Sequence, residues 1–204
     1  GGASNPVASP PASGVSSARP DTNWNDPFGS FGSELQISGA SSFFQTTPQP
    51  APPAVPEQIS LADARSLAKS IVDSHFRGRV DPAMLTAMIE IESTFRPKAY
   101  RYERHIGDAS YGLMQVLYGT AKWLHDDMGY RAYSLPSGEA MYDPATGVYF
   151  GAAYVDYLQG HPWADGTTDW TVMSYNGGPG ANNAQTRNHL AKYRAARAAQ
   201  AKVK

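Results

Sequence analysis

A mostly α-helical domain preceded by an extended Pro-rich arm is the fold class this sequence predicts. Three observations predict it. From Glu57 onward, apolar residues recur at helical spacing in segments that open on Ser, Asp or Thr and mostly close on Gly or Pro. No long β-run interrupts those segments. Before Glu57 the composition is different, with ten of the sixteen prolines and four charged residues, Arg19, Asp21, Asp26 and Glu34.

That leading segment, residues 1–56, sustains no helical or strand period. It cannot bury enough apolar area to offset its ordering entropy, so by itself it is expected to be extended and disordered. It is more than a linker in composition. Trp24, Phe28, Phe31, Phe43 and Phe44 are interspersed with Gly and Ser, and spaced aromatics in such a tail are candidate anchors for a partner surface.

Residues 57–204 form the predicted domain. Ser60 caps a first helix whose stripe is Leu61, Ala64, Leu67, Ala68, Ile71, Val72 and Phe76, ending at Gly78. Asp81-Pro82 is an N-cap followed by a first-turn proline, and Pro97 is expected to end that second helix. Residues 98–111 carry mixed charge without a period and read as a surface loop. A third helix starts at Thr120, with Ala121, Leu124 and Met128 inward, and stops at Gly129. Tyr130 to Met141 reads as a loop. Asp143-Pro144 repeats the cap-and-proline signal and opens a helix through Leu158, closed by Gly160. A short helix runs from Thr168 into Tyr175, and a last one spans Thr186 to Ala201.

The second helix carries the first chemical signal. Met84, Leu85, Met88, Ile89, Ile91 and Phe95 share one broad face at 100° per residue. Glu92 lands in the middle of that face, while Glu90 points nearly the opposite way and reads as a solvated charge. A carboxyl aimed at an apolar interior is costly to ionise, so its pKa is expected to rise, which suits a general acid. A buried glutamate satisfied by a basic partner fits the helix alone equally well. Gly112-Leu113-Met114-Gln115 then delivers a thioether and an amide to one turn, and Ser174-Tyr175-Asn176-Gly177-Gly178 follows much later.

Glu92-Ser93 with Pro97 after it, then Gly-Leu-Met-Gln, then Tyr-Asn-x-Gly, resembles the soluble lytic transglycosylase family, relatives of goose-type lysozyme. Tyr142-Asp143-Pro144 with Gly147 and Gly151 resembles the family's helix that buttresses the cleft. The resemblance covers nearly all of residues 57–204 and implies a lysozyme-like helical fold. It implies cleavage of the bond between N-acetylmuramic acid and N-acetylglucosamine in peptidoglycan, with formation of a 1,6-anhydro sugar and no cofactor or metal. In that scheme Glu92 is the catalytic acid and then base. Gln115 lines the cleft, Met114 is an adaptable wall for a sugar face, Tyr175 holds the acid, Asn176 contacts substrate, and Ser93 supports the turn without chemistry. Tyr102, Tyr111, Trp123 and Trp163 are candidate sugar platforms, with core packing favoured for both tryptophans.

Goose-type lysozymes also carry an aspartate near the position of Asp108, so the alternative is an inverting hydrolase in which Asp108 activates water; Glu103 is a less well placed candidate. Against it, Leu117 stands where those enzymes have a further Asp. A non-catalytic docking protein on the same scaffold would be marked by a lost acid or broken cleft motifs, and all three motifs stand.

Composition closes other routes. There is no Cys, which removes disulfides and thiolate chemistry. A net charge of −1 argues against an extended nucleic-acid surface. No apolar run is long enough for a membrane span. No signal peptide opens the chain, which begins on Gly, so a leader already removed is an expectation. His75, His105, His125, His161 and His189 show no ligand spacing and read as surface or capping residues. The last helix carries Arg187, Lys192, Arg194, Arg197, Lys202 and Lys204 with no acid, as the helix dipole favours near a C-terminus. A wall-cutting domain with a partner-seeking arm fits an envelope-crossing assembly. A phage virion is favoured over a conjugation channel, a secretion machine or a periplasmic or secreted bacterial protein.

Overall fold

The computed structural model describes residues 54–203. The arm aromatics Trp24, Phe28, Phe31, Phe43 and Phe44, with the anchoring role expected of them, lie outside those residues.

Helix α1 (Leu61–Ile71) begins at a reciprocal cap in which Ser60 Oγ accepts from Asp63 N and Asp63 accepts back from the Ser60 backbone. It widens into one π-helical turn, Val72–Phe76, and stops where Arg77 and Gly78 take left-handed backbone. Helix α2 (Pro82–Ser93) follows, capped by Asp81 accepting from Ala83 N. It ends earlier than Pro97, because Thr94 (φ 51°) and Phe95 (φ 62°) are both left-handed. The turned-back segment is fixed from outside the helix: Ile59 N donates to Phe95 O at 2.9 Å and Gln58 Nε2 to Thr94 O at 3.0 Å.

The predicted loop 98–111 is instead most of a small antiparallel sheet. Strands β1 (Tyr100–Glu103), β2 (Asp108–Tyr111) and β3 (Val116–Leu117) pair in the order β1-β2-β3, with Tyr100 opposite Tyr111 and Tyr111 opposite Val116. Three of the four β1 residues are exposed, so no alternation marks the strand in the sequence. The Gly-Leu-Met-Gln turn is the β2–β3 hairpin connection.

Helix α3 (Tyr118–Asp126) is one turn shorter than expected at its end, which leaves Met128 44% exposed rather than inward. A 3₁₀ turn (Gly138–Tyr142) occupies part of the expected 130–141 loop. It leads into α4 (Pro144–Gln159), capped by Asp143 accepting from Thr146 N and closed at Gly160. Helix α5 (Thr168–Gly177) and helix α6 (Ala184–Gln200), the latter with a reciprocal Asn183–Thr186 cap, complete the domain.

The core lies around α2, which packs against α1, α4 and α6. Met84 to Ile89 are all buried, so α2 is a central helix covered nearly all round rather than an amphipathic surface helix. This corrects the reading of Glu90. Its carboxylate is half-buried and accepts from Gln200 Nε2 of α6 at 2.6 Å. Trp163 is corrected too: it is 66% exposed, whereas Trp123 packs edge-on against Tyr157 at 4.8 Å. Among the described residues no helix is long and apolar enough to cross a membrane.

Candidate active site

The last turn of α2 opens onto a cleft of about 880 Å³. Ile91 and Glu92 form its floor. Val55 and Glu57 come from the extended segment before α1, Arg96 and Lys98 to Arg101 from the turn and β1, Gln115 from the hairpin, and Asn176 from α5. Gln185, Asn188, His189 and Lys192 come from α6. Glu92, Gln115 and Asn176, far apart in the chain, are thus brought together.

The Glu92 side chain is 13% exposed. Burial pushes its pKa up to about 8, against the opposing pull of Arg101 and Lys192. At neutral pH it therefore holds its proton. The residue after it takes no part: Ser93 Oγ donates to Ile89 O at 3.0 Å, a bond back to its own helix.

The hairpin turn depends on Gly112, at φ 74°, where a Cβ would stand 2.1 Å from the Met141 carbonyl oxygen. Gly112 N donates to Ala99 O. Gln115, also left-handed at φ 48°, sends its amide NH₂ to Ala99 O (3.1 Å) and Gly112 O (3.0 Å), so its nitrogen fixes the cleft wall. Met114 has no exposed surface and packs where a Cβ on Gly151 would stand 2.5 Å from its Cγ. It is therefore a core residue beneath the turn and not a cleft wall. Tyr175 is nearly buried, and its hydroxyl donates to Met114 O at 2.8 Å. It braces the hairpin beside the acid and makes no hydrogen bond to the acid itself. Burial first, then the nearby Glu92 charge, holds this phenol well above its ordinary pKa.

Asp108 does not line the cleft. Its carboxylate accepts from Ala109 N at 2.7 Å and from Gly119 N at 2.9 Å, which ties β2 to the first turn of α3. Glu103 is paired with Arg101, in close contact but without hydrogen-bond alignment. The other acid on the cleft is Glu57, which the motif spacing does not reveal. It is exposed on the segment leading into α1.

Two basic residues of α6 were also hidden in the sequence. Lys192 faces the cleft rather than merely ending a cationic helix. His189, read as a surface or capping residue, has a side chain 10% exposed, with Nε2 3.3 Å from Glu92 Oε1. Its helical neighbours on the same face, Gln185 and Lys192, were the signal available. Among the described residues no group of three or more His, Asp or Glu side chains could hold a metal ion.

A single buried carboxyl at the foot of a polar cleft, carried on the central helix of a lysozyme-like fold, defines the class of protein. Residues 71–197 match the model of the Transglycosylase SLT domain family, and the chain belongs to that family. The fold is similar to that of the lytic transglycosylase Slt of Pseudomonas aeruginosa, solved as an inactive mutant. That likeness has 21% identity over 65% of this chain and 23% of that one, with a TM-score of 0.53. The 70 kDa soluble lytic transglycosylase of Escherichia coli is similar at 24% identity over 64% of this chain and 19% of that one, with a TM-score of 0.46. The chain thus spans about a fifth of the length of the solved structures it matches. No protein of curated function matches it.

Proposed function

We propose that this chain is a peptidoglycan lytic transglycosylase that cuts the β-1,4 bond between N-acetylmuramic acid and N-acetylglucosamine and leaves a 1,6-anhydro sugar. The observation that carries this reading is the burial of Glu92 where it lines the cleft, which raises its pKa to about 8. Its proton passes to the glycosidic oxygen as the bond to C1 breaks. The resulting carboxylate accepts the proton of the muramic acid C6 hydroxyl while that oxygen closes on C1. The carboxyl is regenerated and no water is consumed. One group acting as acid and then base needs a pKa near the working pH, and a value of about 8 supplies it. Asn176 and the oxygen of Gln115 are the groups offered to the sugar amides.

A second reading, an inverting muramidase in which a second carboxylate activates water, is favoured by Glu57, the other acid lining the cleft. Asp108 is the weaker candidate because backbone amides already occupy its carboxylate. Mass spectrometry of digested sacculi separates the two. Anhydromuramyl products without new reducing ends are expected. Reducing muramic acid as the main product would replace the proposal with the hydrolase and point to Glu57 as base.

For the wider setting we propose that residues 1–56 attach the enzyme to an envelope-crossing assembly, a phage virion first, which delivers it to the bacterial cell wall and periplasm. The support is compositional: a Pro-, Gly- and Ser-rich arm with spaced aromatics, joined to a domain that acts on the wall.

A further inference from the structure

The scheme above leaves one buried group at the site unused. The His189 side chain is nine-tenths buried, its Nε2 stands 3.3 Å from Glu92 Oε1, and that nitrogen makes no aligned hydrogen bond with any described residue. A buried ring nitrogen without a partner costs free energy unless a slight reorientation pairs it. Glu92 is the group within reach.

The surroundings determine what kind of pair this is. Arg101 faces it from β1 and Lys192 from α6, while Tyr175 approaches Glu92 from α5. Burial, then the Lys192 and Arg101 charges, hold the His189 pKa down at about 4. The two groups are therefore both neutral at pH 7, and their contact is no ion pair. A neutral imidazole presents an N–H at one nitrogen and a lone pair at the other. With the N–H at Nε2 it can donate to Oε1 in both states of the carboxyl. With the lone pair there it would bind the acid proton and withdraw it from the sugar.

We propose that His189 is a positioning residue that, as a neutral imidazole donating from Nε2 to Glu92 Oε1, keeps the transferable proton of Glu92 on Oε2, the oxygen offered to the glycosidic bond. The same donor steadies the carboxylate formed when the proton leaves. The catalytic consequence rests on the transglycosylase reading; the placement of the proton does not.

Two measurements without substrate test the placement. In protein labelled with ¹⁵N-histidine, the His189 signals should show Nε2 protonated and Nδ1 bare from neutral pH down to about pH 5; the opposite tautomer overturns the proposal. Labelling the Glu92 carboxyl with ¹³C follows its titration. His189→Phe keeps the bulk and removes the donor, so Glu92 should hold its proton about tenfold more tightly, as expected for one lost bond to a charged group. His189→Gln keeps a donor and should titrate like the parent. A midpoint that falls or stays put in the Phe variant overturns the proposal. In sacculus digestion, His189→Phe should lower kcat about tenfold with KM within about twofold, and His189→Gln should recover most of it; equal loss in both removes the positioning role. A chain that titrates as expected but releases no muropeptide removes the transglycosylase reading and leaves the proton placement standing.

Discussion

Glu92 and Glu90 lie two residues apart on the same helix, yet the fold gives them opposite tasks. Glu92 faces the cleft as a protonated acid, and Glu90 holds Gln200 of α6. Glu92→Gln should keep the fold and lower sacculus digestion by roughly 10²-fold or more, the usual loss for a missing general acid. It should also change stability with pH. Folding raises the Glu92 pKa from 4.5 to about 8, so the folded chain keeps a proton that the unfolded chain has released. That favours the fold below about pH 4.5 and is lost as pH rises to about 8. His189 works the other way, since its depressed value lets stability fall as pH drops from about 6.5 to about 4. At pH 8 the Glu92→Gln variant should therefore be more stable than the parent by about 1–3 kcal/mol, with the gap closing toward pH 5. Thermal melts that show no pH-dependent gap would refute the buried-acid account. Thr94, next but one to the acid, is a β-branched residue in left-handed backbone and costs about 1–2 kcal/mol there. Thr94→Gly should raise stability by about 1 kcal/mol at unchanged activity; a lower melting temperature would show that the Thr side chain contributes more than its backbone costs.

At the scale of elements, the hairpin between β2 and β3 organises the cleft wall. It is held by Gly112 at its start, Gln115 at its end and Tyr175 bonding Met114 O from α5. A side chain at position 112 has no room, because the Met141 carbonyl lies 2.1 Å from the Cβ position and backbone cannot yield cheaply. Gly112→Ala should cost about 2–4 kcal/mol, combining the left-handed penalty with displacement of the 3₁₀ turn. Activity should fall further than unfolding explains, because Gln115 moves with the turn. Denaturant unfolding together with the specific activity of the folded fraction checks this, and an intact melting curve would contradict the packing described. Such helices as α2 and α4 were legible in the sequence because caps are local: Asp81 and Asp143 each bond an amide two or three residues on. The strands were not legible. β1 is short and mostly exposed, so its pairing with β2 leaves no periodic trace.

For the molecule as a whole, the domain and the arm are expected to act separately. Removing residues 1–53 should leave sacculus digestion and melting temperature within error of the full chain. On the proposed attachment role of the arm, the same deletion should abolish incorporation into an envelope-crossing assembly. Ala substitutions at Trp24, Phe28 and Phe31 should mimic it, since buried aromatics commonly dominate such interfaces. Normal incorporation of the truncated protein would leave the arm as a spacer. The truncation stops before Val55 because Val55 and Glu57 line the cleft. The segment entering α1 is thus part of the site, although a boundary drawn at residue 57 on composition puts Val55 outside the domain.

By itself the sequence determined the helical class, the caps and the three motifs that carry the family. Each of these depends on contacts within a few residues or on a pattern of residue types. Only the tertiary structure decided which of the motif residues reach the cleft. Met114 and Ser93 turned into the core, the Asp108 carboxylate was taken up by the Ala109 and Gly119 amides, and Glu57 and His189 were brought to the cleft. The physical reason is that burial is a property of what packs against a residue. For His189 that partner is the end of α2, remote in the chain; its spacing with Gln185 and Lys192 marks a shared face but not what covers it.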